Sequence, residues 1–140
     1  MIEVITDDKH RVAEWAKKQY AQYADNPWRS GFQAFGLQKD GDLVGAVIFS
    51  DYTGNDIVVS TVSTDPACWN RRCIRLLHEY VFHTCKCVRV TAMARASNRK
   101  SIKLLLGLGF KEEGRLRSYF HPEDAVVFGQ LRSECKWIAS

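Results

Sequence analysis

The stretch that decides the fold is Asn98-Arg99-Lys100-Ser101-Ile102-Lys103-Leu104-Leu105-Leu106-Gly107-Leu108-Gly109-Phe110, which Glu113-Gly114 follows. Its apolar residues recur at helical spacing, and its basic residues lie on the other side of the same helix. The apolar set is Ile102, Leu105, Leu106 and Leu108, and the basic set is Arg99, Lys100 and Lys103. Gly107 and Gly109 are placed to end the helix. The stretch therefore predicts a helix that can meet an anion with one face and that leads into a strand.

The rest of the chain alternates between strand and helix patterns. Strands are expected at residues 2–5, 32–38, 43–50, 57–64, 88–95, 111–120 and 125–131. One helix should follow a cap at Thr6 or Asp7, with a stripe of Val12, Trp15, Ala16, Gln19, Tyr20 and Tyr23, and another should begin near Trp69. The order β-α-β-β-β-α-β-α-β-β predicts an α/β (α+β) domain whose mixed, mostly antiparallel central sheet is flanked by helices.

Length and composition favour a single domain over residues 1–140. The chain has 46% hydrophobic residues, which suffices for one core, and contains no apolar run of membrane-spanning length. Five cysteines without a regular framework favour free thiols and a cytoplasmic location. The cluster from His83 to Cys87 offers no second group of metal-ligand spacing, so no metal site is expected.

The formal charge of +4 is unevenly divided along the chain. Residues 1–68 hold 6 Lys and Arg against 10 Asp and Glu, giving −4, whereas residues 69–140 hold 14 against 6, giving +8. The second half therefore suits an anionic ligand. No recognition helix or paired aromatic strand motif is evident, so nucleic acid is not the expected partner.

A second helix N-terminus is expected within Trp69-Asn70-Arg71-Arg72-Cys73-Ile74. Helix N-termini present backbone N–H groups and the positive end of the helix dipole, and here arginines stand in the first turn. This segment is therefore a candidate site for a pyrophosphate.

The stretch from Asn98 resembles the end of the acyl-CoA-binding core in the GCN5-related N-acetyltransferase (GNAT) family. The family pattern has Asn, a small residue three positions later, a leucine pair and Leu-Gly-Phe. Here these are Asn98, Ser101, Leu104-Leu105 and Leu108-Gly109-Phe110. Residues 113–117 and 124–137 are similar to the branch that acetylates ribosomal-protein N-termini and to its small phage and bacterial relatives.

The resemblance implies an acetyl-CoA-dependent transfer of an acetyl group to a primary amine by direct attack on the thioester. The acceptor would be a protein N-terminus, a lysine or a small amine, and the protein a monomer or homodimer. Ser101 would protonate the leaving thiolate, or simply be a small residue that permits close packing. Asn98 would contact the cofactor, cap its helix, or do both. The implied cofactor-binding residues are Val62, Ser63, Asn70, Arg71, Arg72, Cys73, Ile74, Asn98, Ser101 and Lys103.

The sequence departs from the family pattern at four positions. Trp69, Arg72 and Ile74 stand where the pyrophosphate loop usually has Gln or Arg, Gly, and Gly or Ala. Leu105 stands where many members have a tyrosine that acts as a general acid. These departures leave open an alternative, a catalytically weak or inactive protein of this fold that binds CoA or a partner or that acts as an inhibitor.

The general base is not identified by the sequence. The central strand at residues 57–64 contains no Glu, Asp or His. The candidates outside it are Asp51, Asp56, Glu113, Tyr119 and His121, each of which has a surface or turn position as its ordinary interpretation. Trp28 either lines a substrate opening or covers the core.

Overall fold

Seven strands form one mixed sheet in the computed structural model of the protein, which describes residues 1–19, 28 and 31–138. The strands are β1 (Glu3–Ile5), β2 (Gln33–Lys39), β3 (Asp42–Ser50), β4 (Val58–Ser63), β5 (Arg89–Arg95), β6 (Lys111–Phe120) and β7 (Glu123–Leu131). Their spatial order is β1-β2-β3-β4-β5-β7-β6, and β4 with β5 forms the parallel pair. The other five pairings are antiparallel.

Three α-helices cover the sheet: α1 (Lys9–Gln19), α2 (Arg71–Glu79) and α3 (Arg99–Leu108). A short 3-10 helix (Pro66–Trp69) precedes α2, and a π-helical turn (Tyr80–Thr84) continues it. The element order is the one expected from the sequence, and the predicted fold class is confirmed.

The core lies on both faces of the sheet. On one face α1 buries Val12, Ala13 and Ala16 against Ala46 and Ile48 of β3. On the other face a larger cluster joins α2 and α3 to the sheet, and its members include Phe49, Leu77, Phe82, Val90, Leu105, Phe110 and Phe128. This two-sided burial explains why β3 is buried from Gly45 to Ser50 rather than alternating between buried and exposed.

The two glycines of the Asn98 stretch differ in role. Gly109 has a φ of 104°, and its N–H bonds back to the carbonyls of Leu105 and Leu106, which ends α3. Gly107, which was also expected to end the helix, lies inside it. Of these two glycines, only Gly109 adopts the left-handed conformation that a helix end of this kind needs.

Two other expectations need adjustment, and a third falls outside the described residues. A strand was expected from residue 88, but β5 begins at Arg89 and Val88 is 54% exposed. The helix expected from Trp69 begins at Arg71, because Asn70 caps it. Tyr20 and Tyr23, expected on the α1 stripe, lie outside the described residues.

His78 ties α2 to the end of the chain. It is 7% exposed, its Nδ1 lies 2.7 Å from the carbonyl oxygen of Ile74, and its ring lies 6.0 Å from that of Trp137. The Trp137 Nε1 donates to the carbonyl of Leu108 at 2.8 Å. Burial lowers the pKa of His78, although hydrogen bonds with Ile74 and Gln130 act in the opposite direction. A neutral imidazole is therefore part of the packed structure.

We expect acid to destabilise the protein through His78. Because its pKa in the folded state is below the ordinary 6.5, the unfolded chain takes up the proton first as pH falls through that value. The stabilisation is present above pH 6.5 and is lost below it, at no more than about 1.4 kcal/mol per pH unit for one proton. Urea denaturation between pH 7.5 and 5 measures this slope. His78→Gln should reduce this slope, and equal slopes in wild type and His78→Gln would contradict the assignment.

Candidate functional site

The sheet is split between its two parallel strands. β4 and β5 pair at Val58 with Thr91 and at Val59 with Ala92, and no further pair is formed along these two described strands. β4 is the central strand of the seven, as its β-branched sequence predicted, and yet all six of its residues are half-buried. The reason is that one edge of β4 meets β3 throughout, while its other edge faces the gap beyond Val59.

Two clefts open onto this gap. The first, here called the α3 cleft, lies between the end of β4 and the start of α3 and is lined by Thr61, Val62, Ser63, Thr64, Asp65, Pro66, Trp69, Asn98, Lys100, Ser101 and Leu104. The second, here called the hairpin cleft, reaches the β6–β7 hairpin and includes Ser50, Asp51, Met93, Arg95, Tyr119 and Phe120. Thr61, Asn98 and Ser101 line both clefts. A group bound in one cleft therefore meets a group bound in the other at these three residues.

Asn98 and Ser101 are positioned by the start of α3. The Asn98 Oδ1 accepts the backbone N–H of Ser101 at 3.1 Å, so Asn98 is the N-cap of the helix. Ser101 is half-buried in the first turn. The cap fixes the direction in which both side chains enter the junction of the clefts.

The N-terminus of α2 is capped in the same way. The Asn70 Oδ1 accepts the N–H of Cys73 at 3.0 Å, and the Asn70 Nδ2 donates to the carbonyl of Ala67 at 2.9 Å. The side chains of Cys73 and Ile74 are buried in the core. Their backbone N–H groups are engaged as well, that of Cys73 by the Asn70 Oδ1 and that of Ile74 by the Asn70 carbonyl, so these two residues of the predicted pyrophosphate segment present no unpaired donor to a ligand.

Trp69 is the last residue of the 3-10 helix before α2, and its side chain reaches the end of β4. Its Nε1 donates to the Ser63 Oγ at 3.1 Å, and its ring borders both the α3 cleft and an apolar cavity between the sheet, α2 and α3. The ring thus forms a wall of the cleft at the position where the sequence departs from the family pattern. The Ser63 hydroxyl is engaged by this bond.

The predicted basic residues do not all face the α3 cleft. The guanidinium of Arg72 donates to the carbonyl of Ile2, which directs it toward β1. Lys100 lines the cleft, whereas Lys103, which the sequence favoured, is exposed and outside the lining. Arg71 is exposed at the first residue of α2.

Two of the candidate bases are held in an ion cluster at the closed end of the strand pair. Asp56 accepts from the Thr91 hydroxyl at 2.8 Å, and its Oδ1 lies 3.3 Å from the Arg89 Nε. Glu113 pairs with the Arg89 guanidinium at 2.9 Å, and this bond is the main cause of the raised pKa of Arg89. These two carboxylates are therefore structural.

The remaining candidates separate by position. Asp51 and Tyr119 line the hairpin cleft, together with Trp28, which is also buried in the α1-side core. His121 is exposed in the hairpin turn and lies outside the cleft lining. Arg95, which the sequence did not indicate, enters the cleft because odd-numbered positions of β5 point away from α3.

The described part of the chain contains neither a group of three or more potential metal-ligating side chains nor a helix that could span a membrane. All five cysteines are free thiols, as expected.

Comparison with known proteins identifies the fold and the family. The sequence matches the profile described as "Acetyltransferase (GNAT) family" over residues 2–110. No curated protein matches the chain.

Solved structures show the same fold at low sequence identity. A dodecameric spermidine N-acetyltransferase from Vibrio cholerae is similar with a TM-score of 0.74 and 14% identity, over 94% of each chain. A ribosomal-protein-S5-alanine acetyltransferase from Vibrio fischeri is similar with a TM-score of 0.65 and 18% identity, over 93% of this chain and 72% of that one. Another acetyltransferase is similar with a TM-score of 0.66 and 21% identity, over 76% of this chain and 62% of that chain's length.

The family profile covers most of the chain, and the structure supplies the split sheet and capped helices at the positions of the matched residues. Members of this family take the acetyl group from acetyl-CoA. The chain therefore belongs to the GNAT acetyltransferase family and is an N-acetyltransferase.

Proposed function

We propose that the protein transfers the acetyl group of acetyl-CoA to a primary amine by direct attack of the amine on the thioester. The amine belongs to a protein N-terminus, a lysine or a small molecule. The observation that carries this proposal is the junction of the α3 cleft and the hairpin cleft at Asn98 and Ser101. Donor and acceptor enter from different sides and meet there.

The α3 cleft suits the donor. The edge of β4 from Ser60 to Ser63 faces the gap, so Val62 and Ser63 can bind an extended arm through their backbone as an additional strand would. The N-terminus of α2 offers the backbone N–H groups of Arg71 and Arg72 and a positive dipole end to a pyrophosphate. The cations at Arg71 and Lys100 add a favourable field for phosphates.

The residues at the junction divide the chemistry. Acetyl-CoA supplies an acyl group that is already activated as a thioester. The amide Nδ2 of Asn98 donates a hydrogen bond to the bound cofactor, while its Oδ1 continues to cap the helix. The acceptor ammonium first releases one proton to water. The neutral amine nitrogen then bonds to the carbonyl carbon, and as the carbon–sulfur bond breaks the second proton of that nitrogen passes through the Ser101 hydroxyl to the leaving sulfur.

The two named relatives act on different amines. One is a spermidine acetyltransferase and the other acetylates an alanine of ribosomal protein S5. The tail of this chain, at residues 113–117 and 124–137, favours the ribosomal-type branch and its small phage and bacterial relatives. For this chain we propose a cytoplasmic enzyme that works as a single domain, as a monomer or homodimer.

Acetyl-CoA should raise the melting temperature of the protein by several degrees at high micromolar concentration, because a ligand that binds only the folded state stabilises it. ATP at the same concentration is the control, since it carries comparable phosphate charge without the pantetheine arm. Differential scanning fluorimetry measures both shifts. The absence of a shift, or an equal shift with ATP, would contradict the donor site.

Ser101→Ala should lower kcat by about 100-fold while leaving the KM for acetyl-CoA close to that of wild type, because a proton relay acts in the transition state. Release of free CoA thiol with an amine acceptor gives the rates. Ser133→Ala, at an exposed position outside both clefts, is the matched control. An unchanged kcat for Ser101→Ala would mean that Ser101 serves only as a small residue that permits close packing.

Asn98→Asp separates the two roles of Asn98. Asp caps helices as well as Asn, so the melting temperature should stay the same, whereas the lost amide donor and the added negative charge should raise the KM for acetyl-CoA. Asn98→Ala should in addition cost about 1 kcal/mol of stability. If Asn98→Asp binds acetyl-CoA as wild type does, the residue is a cap alone.

A further inference from the structure

The hairpin cleft holds a carboxylate to which no role has been assigned. We propose that Asp51 binds the ammonium group of the acceptor, so that the enzyme selects cationic primary amines without a negative charge beside the amine. The inference rests on the proposed function, because it names the acceptor class of the same site.

The charges that line the hairpin cleft single out Asp51. Asp51 and Arg95 are the two charged side chains among its described lining residues. The Arg95 Nη1 lies 3.3 Å from the Glu123 carboxylate and donates to the carbonyl of Phe120 at 3.0 Å. Its guanidinium also lies over the Phe120 ring, 4.9 Å from the ring centre. The positive charge of Arg95 is therefore offset by its own neighbours. The carboxylate of Asp51 makes the electrostatic potential of the cleft negative.

The backbone places Asp51 at the cleft in an uncommon conformation. Its φ is +52°, directly after Ser50 ends β3. A residue other than glycine in the left-handed region carries a conformational cost, which Asp and Asn tolerate better than other side chains. Ser50 is buried, and its Oγ donates to the Asp51 Oδ2 at 3.4 Å. This contact leaves the other carboxylate oxygen to a ligand.

The remaining walls suit an alkylammonium. Tyr119 and Trp28 line the cleft with Asp51, and the Tyr119 ring is 54% exposed. Aromatic faces attract cations and pack against methylene groups. The cleft volume of about 160 Å³ admits an aminoalkyl group. A carboxylate with aromatic walls therefore matches the charged end of a lysine side chain, an alkylamine or a peptide N-terminus.

The same arrangement disfavours free α-amino acids. Their carboxylate lies one carbon from the amine and would approach Asp51 with the same charge. In the reaction, the ammonium held by Asp51 releases one proton to water at the open end of the cleft and the neutral amine then attacks the thioester. Asp51 thus binds and orients the acceptor, and its exposure allows solvent to take the proton.

Three matched acceptors test the charge rule: pentylamine, norleucine amide and norleucine. The amide and the acid have nearly the same shape but differ in the negative charge and in the pKa of the α-ammonium, so kcat/KM is compared per concentration of neutral amine. Wild type should acetylate norleucine at least 10-fold less efficiently, in kcat/KM, than its amide. Equal efficiency for the acid and the amide would overturn the inference.

Asp51→Asn tests the residue itself, because Asn keeps the shape and tolerates the left-handed backbone. The variant should melt as wild type does, raise the KM for pentylamine about 10-fold or more, leave the KM for acetyl-CoA unchanged and reduce the discrimination between norleucine and its amide. Asp42→Asn, at the exposed opposite end of β3, is the control.

Two failures can be told apart. If wild type acetylates amines and Asp51→Asn has the same KM values and selectivity, the inference on Asp51 is wrong and the proposed function stands. If wild type acetylates no amine and acetyl-CoA does not stabilise it, the proposed function fails and the inference fails with it.

Discussion

The structure depends on how far one parallel strand pair extends. β4 and β5 are joined at two residue pairs and then separate, although each is fully paired with an antiparallel neighbour on its other side. A sheet that continued its ladder along both strands would have no opening between α3 and the hairpin. Because the ladder stops, both clefts exist, and the start of α3 reaches from one into the other.

The closed end of this pair is held by charge. Arg89 lies between Asp56 and Glu113, and Asp56 also accepts from Thr91 on β5. These contacts join the segment before β4 to β5 and to the edge strand β6. Their positions explain why two acidic residues that looked available for catalysis in the sequence are structural. At half-exposed sites each ion pair contributes little alone, so the network with the threonine hydroxyl matters more than any member.

The sequence predicts the parts of the molecule that local rules control. The element order, the fold class and the caps at the Asn98 helix follow from spacing and from the side-chain chemistry of a few residues. The direction of individual side chains does not. Arg72 has a side chain suited to binding a phosphate, yet its guanidinium donates to the carbonyl of Ile2, seventy residues away. Nothing local to Asp51 reveals that β3 ends beside a hairpin that forms seventy residues later, so the sequence left it among five equivalent candidates.

The position of Trp69 should make the fluorescence of the protein sensitive to the state of the α3 cleft. Its indole is half-buried at the edge of the α3 cleft and is hydrogen-bonded to Ser63, while Trp28 lines the hairpin cleft and Trp137 packs near the end of α3. Indole emission depends on the polarity and hydrogen bonding around the ring. The tryptophan that stands where the family usually has Gln or Arg thus gives the molecule an intrinsic fluorescent reporter in the wall of the α3 cleft.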